Sequence, residues 1–357
     1  MSAPAGAGAT AQSGPPYLPP VAILGGQPTP SIDDPICGVL LVFFIAAAVF
    51  NMTVLQINLR RDHKFILSGL TFGFCMARIV TLIMRIVWAS RPTNVRIGIA
   101  STIFNAAGVL LLFIINLIFT QRLVRAYHPH FGWHKATTMV FRFFFFSVIA
   151  LLIMVITATV LSFYTLDRNR LDICRKIQLF AGTYLAVLAF LPIPIVLTAW
   201  AWPRKTKIDK FGEGRFRTKV LLVLFTATLL SFGAGFRIGG SYDARPKTAP
   251  GWFHHRAAYY CVNFVIELIV VYTYSLMRFD KRFHIPNGSS APGHYTNGVP
   301  GSNTTFADHI NTEAEAFGGS DEDTAVIEAG NERAARRWDS RAVADLEKQD
   351  QGDPIRS

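Results

Sequence analysis

No histidine falls within any of the long apolar stretches of this chain. A membrane hydrolase built on clustered His and Asp metal ligands is thereby excluded. The last apolar stretch has no lysine, which excludes a retinal Schiff base. At the end of the third stretch the chain reads Thr120-Gln-Arg-Leu-Val-Arg-Ala-Tyr127, with no Asp/Glu-Arg-Tyr triplet, and the seventh has no Asn-Pro-x-x-Tyr. These absences argue against a rhodopsin-like receptor. Four cysteines are too few for a disulfide scaffold in a chain of 357 residues. Residues 1–35 contain no Lys or Arg, so they lack the basic start of a cleaved signal peptide, and the first apolar stretch is expected to insert and stay.

What is present is apolar. Hydrophobic residues make up 51% of the chain and charged residues only 16%. Since about 20 apolar residues span a bilayer as a helix, the sequence predicts spans at 36–59, 65–89, 97–121, 141–164, 177–202, 219–238 and 257–277. None alternates with the period of a membrane strand. The expected fold is all-α, a polytopic bundle of seven transmembrane helices.

The net charge of +12 does not point to nucleic acid, because the basic residues cluster between spans. Segments on one side carry 16 Lys and Arg against 9 on the other, with seven in the 203–219 loop alone. That bias predicts an outside N-terminus and a cytoplasmic C-terminus, with anionic inner-leaflet lipid attracted to the 203–219 loop. The sequons Asn287-Gly-Ser and Asn303-Thr-Thr would invert this topology if used. The plasma membrane is the expected location, with an endomembrane as the alternative.

The expected organisation is a disordered, Ala/Gly/Pro-rich tail over 1–35, a membrane domain over 36–277, and a basic-aromatic segment over 278–285 lying on the inner leaflet. A flexible linker and a disordered acidic tail follow over 286–357, with a weak polar helix across Asp321–Lys348. The tail and the 203–219 loop are the candidate contacts for cytoplasmic partners. Cys75 reads as an apolar filler. Cys37, Cys174 and Cys261 map near the outer face, where a Cys37–Cys261 disulfide would join the first and last spans.

Arg78 and Glu267 lie near mid-depth of the second and seventh spans, with opposite charge, and Arg85 follows Arg78 at i+7 on the same face. A charge at the bilayer centre costs about 2.5–3.5 kcal/mol on insertion scales, so such residues turn inward and seek partners. Arg78–Glu267 is the economical pair, with Arg85 left as a free cation in an outward-opening cavity. The set serves either as a buried ion pair that fixes packing or as a polar site for an anionic headgroup or a coupled proton. Asn105 and Asn116 share one face of the third span, and Gln178 is a further polar group able to join them. Arg142 and Arg237 fall near span ends, where a long side chain reaches the interface. Pro192 and Pro194 remove two backbone donors and predict a kink or hinge in the fifth span. His128, His130 and His134 have no acidic or Cys neighbour in sequence, so no metal and no cofactor is expected.

The stretch Gly69–Trp88, followed by Ser90-Arg-Pro-Thr-Asn94, together with Ala106-Ala-Gly-Val-Leu110 and His128-Pro-His-Phe-Gly-Trp-His134, resembles a fungal family of seven-span membrane proteins of unknown function. The resemblance covers about residues 36–285 and implies no activity. The topology is also similar to fungal lipid-translocating exporters and fungal pathogenicity receptors, although no diagnostic motif of either group is present. The leading expectation is a non-enzymatic protein that binds or moves an amphipathic, anionic, lipid-like molecule between spans two, three and seven. The alternatives are a receptor that signals through its basic loop and tail, and a structural membrane protein without ligand.

Overall fold

The computed structural model describes residues 14–17, 21–60, 65–203 and 208–297. Seven helices in it are long and apolar enough to cross a membrane: span 1 (Pro30–Arg60), span 2 (Ile66–Ser90), span 3 (Val95–Tyr127), span 4 (Lys135–Tyr164), span 5 (Arg168–Ala201), span 6 (Phe216–Tyr242) and span 7 (Arg256–Leu276). This is an integral, multi-pass membrane protein. Its helices outrun the apolar stretches that announce them. Polar first turns such as Arg168–Lys176 continue the helix beyond the hydrocarbon, where Lys176 pairs with Asp172 at 2.7 Å one turn away. Large side chains such as Phe143, Phe146, Phe180 and Phe232 face outward on spans 4, 5 and 6, as a bilayer permits.

Span 5 breaks at Leu191. Its first helical segment ends at Phe190 and a second starts at Pro192, because neither Pro192 nor Pro194 offers an N–H to the preceding turn. Leu191 keeps helical dihedrals and its N–H still donates to Val187 at 2.9 Å, so the chain does not unwind at the break. The hydroxyl of Ser231 on span 6 donates to the carbonyl of Ala189 at 2.9 Å.

The end of the bundle that carries the N-terminus (the N-side) is roofed by a strap, residues 21–27, which enters span 1 through Pro30. Ala22 N–H donates to Arg245 at 2.8 Å and Gly25 N–H to His254 at 3.2 Å. Gly25 needs its positive φ of 76° and its missing side chain, since a Cβ there would meet the Tyr259 ring at 2.6 Å. Within the tail expected to be disordered over 1–35, residues 21–35 are therefore ordered. A coil rich in Gly and Pro gains order here by backbone pairing with the 243–255 connection.

At the opposite end (the C-side), the chain after span 7 folds back into the bundle. Phe279, Phe283 and Tyr295 are buried against Phe119, Phe211 and Tyr274. The expected interfacial segment over 278–285 is thus partly a plug, and the linker expected from 286 is held against the bundle through Tyr295 and Thr296. Asp209, buried in the neighbouring loop, ties this segment down. It accepts from Gly293 N–H, Thr296 N–H and the Thr296 hydroxyl, each at 2.9 Å. Lys219, expected among the lipid-attracting basic residues, is buried and donates to the carbonyls of Phe211 and Gly212. Arg122 donates to the carbonyl of Phe283. The sequon at Asn287 lies in this packed segment, whereas Asn303 and the expected helix across 321–348 lie outside the described residues. Replacing Asp209 with alanine is expected to free residues 286–297 at a cost of about 2 kcal/mol. Limited proteolysis should then cut that segment while the spans stay protected; unchanged cleavage would contradict the latch.

Candidate functional site

Span 7 opens on a regular turn, Arg256–Tyr260, then widens into one π-helical turn over Cys261–Val265 before the α-helix resumes at Ile266. Single π turns inside helices recur at functional sites. This one stands where Tyr260, Asn263 and Glu267 turn into the bundle. Arg78, completely buried on span 2, meets Glu267 in a two-pronged contact, Nε to Oε2 at 2.6 Å and Nη2 to Oε1 at 2.8 Å. Its remaining Nη1 donates to Asn105 on span 3, at the carbonyl (2.9 Å) and the side-chain oxygen (2.6 Å). The guanidinium lies between the rings of Phe74 and Phe264, 5.3 and 5.4 Å from their centroids. Planar, forked donors matched to a carboxylate are what arginine supplies and lysine does not.

Glu267 serves a second arginine. Arg237 on span 6 donates from Nη1 to Glu267 Oε1 at 3.0 Å and to Asn263 Oδ1 at 3.2 Å. Arg237 was expected to reach the interface; the carboxylate draws it inward instead, and its side chain keeps 21% exposure. Arg142 on span 4 is exposed.

A second cluster of the same design lies closer to the N-side. Arg85 is not a free cation, as its place in the sequence suggested. Its Nη2 donates to Asp33 Oδ1 and to the Gly25 carbonyl, both at 3.0 Å, and its Nε donates to the Tyr260 hydroxyl at 2.8 Å. Tyr260 in turn donates to Asp33 at 2.6 Å, and Thr29 N–H caps the other carboxylate oxygen at 2.9 Å. Arg256 stands 3.5 Å from Asp33 Oδ2. Asp33 and Glu267, the carboxylates of the two clusters, thus each serve two arginines.

Between the clusters and the strap lies a cavity of about 330 Å3. Its polar lining comes from Arg85, Asn105, Gln178, Arg237, Ser241 and Asn263, and its apolar wall from Val109, Phe113, Val155 and Leu185. Ile23 and Leu24 of the strap form its roof. Spans 2 to 7 all contribute, a wider enclosure than the expected one between spans two, three and seven. Gln178 faces the cavity while bonding Thr159 on span 4 at 3.3 Å. Asn116 does not join: eleven residues along span 3 is about 16 Å, and its side-chain oxygen accepts instead from Thr226 (3.0 Å) and Tyr274 (2.9 Å). Pro192 and Pro194 also lie outside this lining.

The expected Cys37–Cys261 link is absent. All four cysteines are free thiols. Cys37 turns inward, 3.2 Å from the Tyr260 hydroxyl. Because Tyr260 faces the core, Cys261, the next residue of the same helix, is turned to the exposed surface. Among the described residues no group of three or more His, Cys, Asp or Glu stands where it could hold a metal.

Sequence reasoning missed Asp33, Tyr260 and Asn263. Asp33 sat in a tail read as coil, although an Asp four residues after Thr29 at the start of an apolar run is a helix-start signal. Asn263 falls four residues before Glu267, a spacing that marks one helix face.

Residues 129–215 and 213–284 match the model of a family described as Protein of unknown function (DUF3112). The matched part includes Gln178, Arg237, Asn263 and Glu267 and excludes Asp33, Arg78, Arg85 and Asn105. No curated protein and no solved structure matches the chain. Over spans 4 to 7 the chain is therefore similar to an uncharacterised family, and its seven membrane-length helices fit an integral multi-pass protein of that kind.

Proposed function

We propose that this membrane protein binds, without a catalytic step, an amphipathic molecule with an anionic, lipid-like headgroup in the N-side cavity. The reading rests on Arg237. It shares the single carboxylate of Glu267 with Arg78, so that group of three carries a surplus positive charge, and Arg237 is its partly exposed member on the cavity wall. A surplus cation in a low-dielectric wall is costly unless an anion completes it. Asn105, Asn263 and Gln178 add hydrogen-bonding groups, and Val109, Phe113 and Leu185 offer a surface for an acyl chain. The volume falls within the range of about 300–1,000 Å3 usual for small-molecule sites. With the N-terminus outside, as the loop charges suggest, the cavity belongs to the outer half of the bilayer. Movement of the ligand across the membrane would further require the C-side aromatic plug to open.

The test is lipid retention by the purified protein in nanodiscs, followed by native mass spectrometry with anionic and zwitterionic lipids of equal chain length. Arg237→Gln is expected to weaken anionic retention about tenfold, the effect of losing one charge-assisted contact, and to leave zwitterionic lipid unaffected. Equal retention of both headgroups by the wild type would remove this reading and favour a receptor or a purely structural bundle.

A further inference from the structure

Above the strap lies a second and larger cleft, about 900 Å3, bounded by residues 22–27, the start of span 1, the end of span 2 and the 247–257 connection. Its side-chain chemistry is one-sided. Lys247 and Arg256 line it, and no carboxylate does. His254 and His255 line it too. The Nδ1 of each accepts a backbone N–H, from Gly251 and Ala257 respectively, both at 3.2 Å. A neutral ring whose Nδ1 accepts carries its proton on Nε2, so both imidazoles present donors. Trp88 completes the set. It is only 4% exposed, it borders the cleft, and its indole N–H has no partner. A buried donor left unpaired costs about 1–3 kcal/mol unless a ligand or water answers it.

Arg256 is held loosely. Its Nε lies 3.5 Å from Asp33 and its Nη2 donates to the Gln27 carbonyl at 3.4 Å, so it retains donors for another acceptor. The remaining wall is apolar, with Ile32 and Ile36 on span 1, Ala22 and Ile23 on the strap, and Trp252, 77% exposed, on the opposite connection.

We propose that this cleft is a separate binding site for a single-chain amphiphile headed by a carboxylate or a phosphate monoester. The anion takes the Trp88 N–H and the Arg256 and Lys247 cations, while the chain lies between Trp252 and the Ile32–Ile36 face. The two cavities meet at Ile23 and Trp88, which border both. The site stands on Lys247 and Arg256, which border this cleft and not the inner cavity, whether or not the inner cavity is occupied.

Binding of a long-chain fatty acid, a lysophosphatidate and the fatty-acid methyl ester to the full-length protein in zwitterionic nanodiscs tests the proposal. At least one of the two acids is expected to bind about tenfold more tightly than the ester, and the two acid arms identify the headgroup. In an Arg237→Gln background, which weakens the inner cavity, an acid-binding component should remain, and Trp88→Phe should weaken it about fivefold. Lys247→Gln with Trp252→Ala, both exposed, should abolish the part of that preference that survives in Arg237→Gln. Equal binding of acid and ester, or no binding of either acid, overturns the proposal. So does loss of acid binding in Arg237→Gln with retention in the Lys247→Gln, Trp252→Ala variant, which would place the ligand in the inner cavity.

Discussion

Replacing Glu267 with glutamine should destabilise the folded protein by about 3–5 kcal/mol, the usual cost of breaking a buried ion pair by removing one partner. The substitution keeps shape and one acceptor oxygen but leaves Arg78 and Arg237 facing each other around a neutral amide. Arginine cannot escape by losing its proton, and Arg78 has no exposed surface through which to hydrate. The expected readout is a fall of several degrees or more in the thermal midpoint of the detergent-purified protein, with loss of its monodisperse peak. Arg78→Leu combined with Glu267→Leu should recover most of that loss, because it removes the buried charges together and leaves Arg237, which can draw water from the cavity. A Glu267→Gln protein as stable as the wild type would show that the cluster contributes nothing to folding. If the double variant were stable yet no longer retained anionic lipid, the surplus charge would act in binding through the geometry that Glu267 imposes on Arg237.

The Arg78–Glu267 contact was legible because opposite charges at matched depth have few other partners in a bilayer. Arg237 was not. Its position near a span end admits two low-energy solutions, the interface or a buried carboxylate, and choosing between them requires knowing that spans 6 and 7 pack together and that a π turn aims Asn263 and Glu267 at the same point. Arg85 was misread for a related reason. Its partner Asp33 comes from a segment whose composition reads as coil, and backbone pairing across the 243–255 connection orders that segment. The span count was legible from apolar length alone. The C-side plug was not, since a basic-aromatic run such as Arg278-Phe-Asp-Lys-Arg-Phe283 fits an interfacial helix equally well. What turns it inward is Asp209, some seventy residues earlier, capping the 293–296 turn, and Gly212 at φ 56°, where a Cβ would strike the Arg282 carbonyl.

Asp33→Asn should cost about 3 kcal/mol and release the strap. Asparagine can still accept from Tyr260 or Arg85, so the substitution isolates charge from shape. Without the carboxylate, Arg85 loses the anion that holds its Nη2 against the Gly25 carbonyl, and Arg256 loses the Asp33 anion beside it. The strap is pinned by Ala22 and Gly25 amides and by Arg85 holding the Gly25 carbonyl, so its opening depends on where the Arg85 guanidinium rests. Hydrogen exchange at residues 22–27 should accelerate by about tenfold or more while the core of span 3, including Leu112 and Ile115, stays protected. Tyr260→Phe serves as the comparison. It deletes a neutral hydroxyl that bonds Asp33, Arg85 and Cys37 but leaves the charges paired, and it should cost about 1 kcal/mol with little change in strap exchange. Equal effects of the two substitutions would mean that the strap is held by packing around Tyr260 and that the Asp33 charge plays no part. A strap released only by Asp33→Asn would make the ion pair the fastening between the two cavities, because Ile23, which borders both, moves with it.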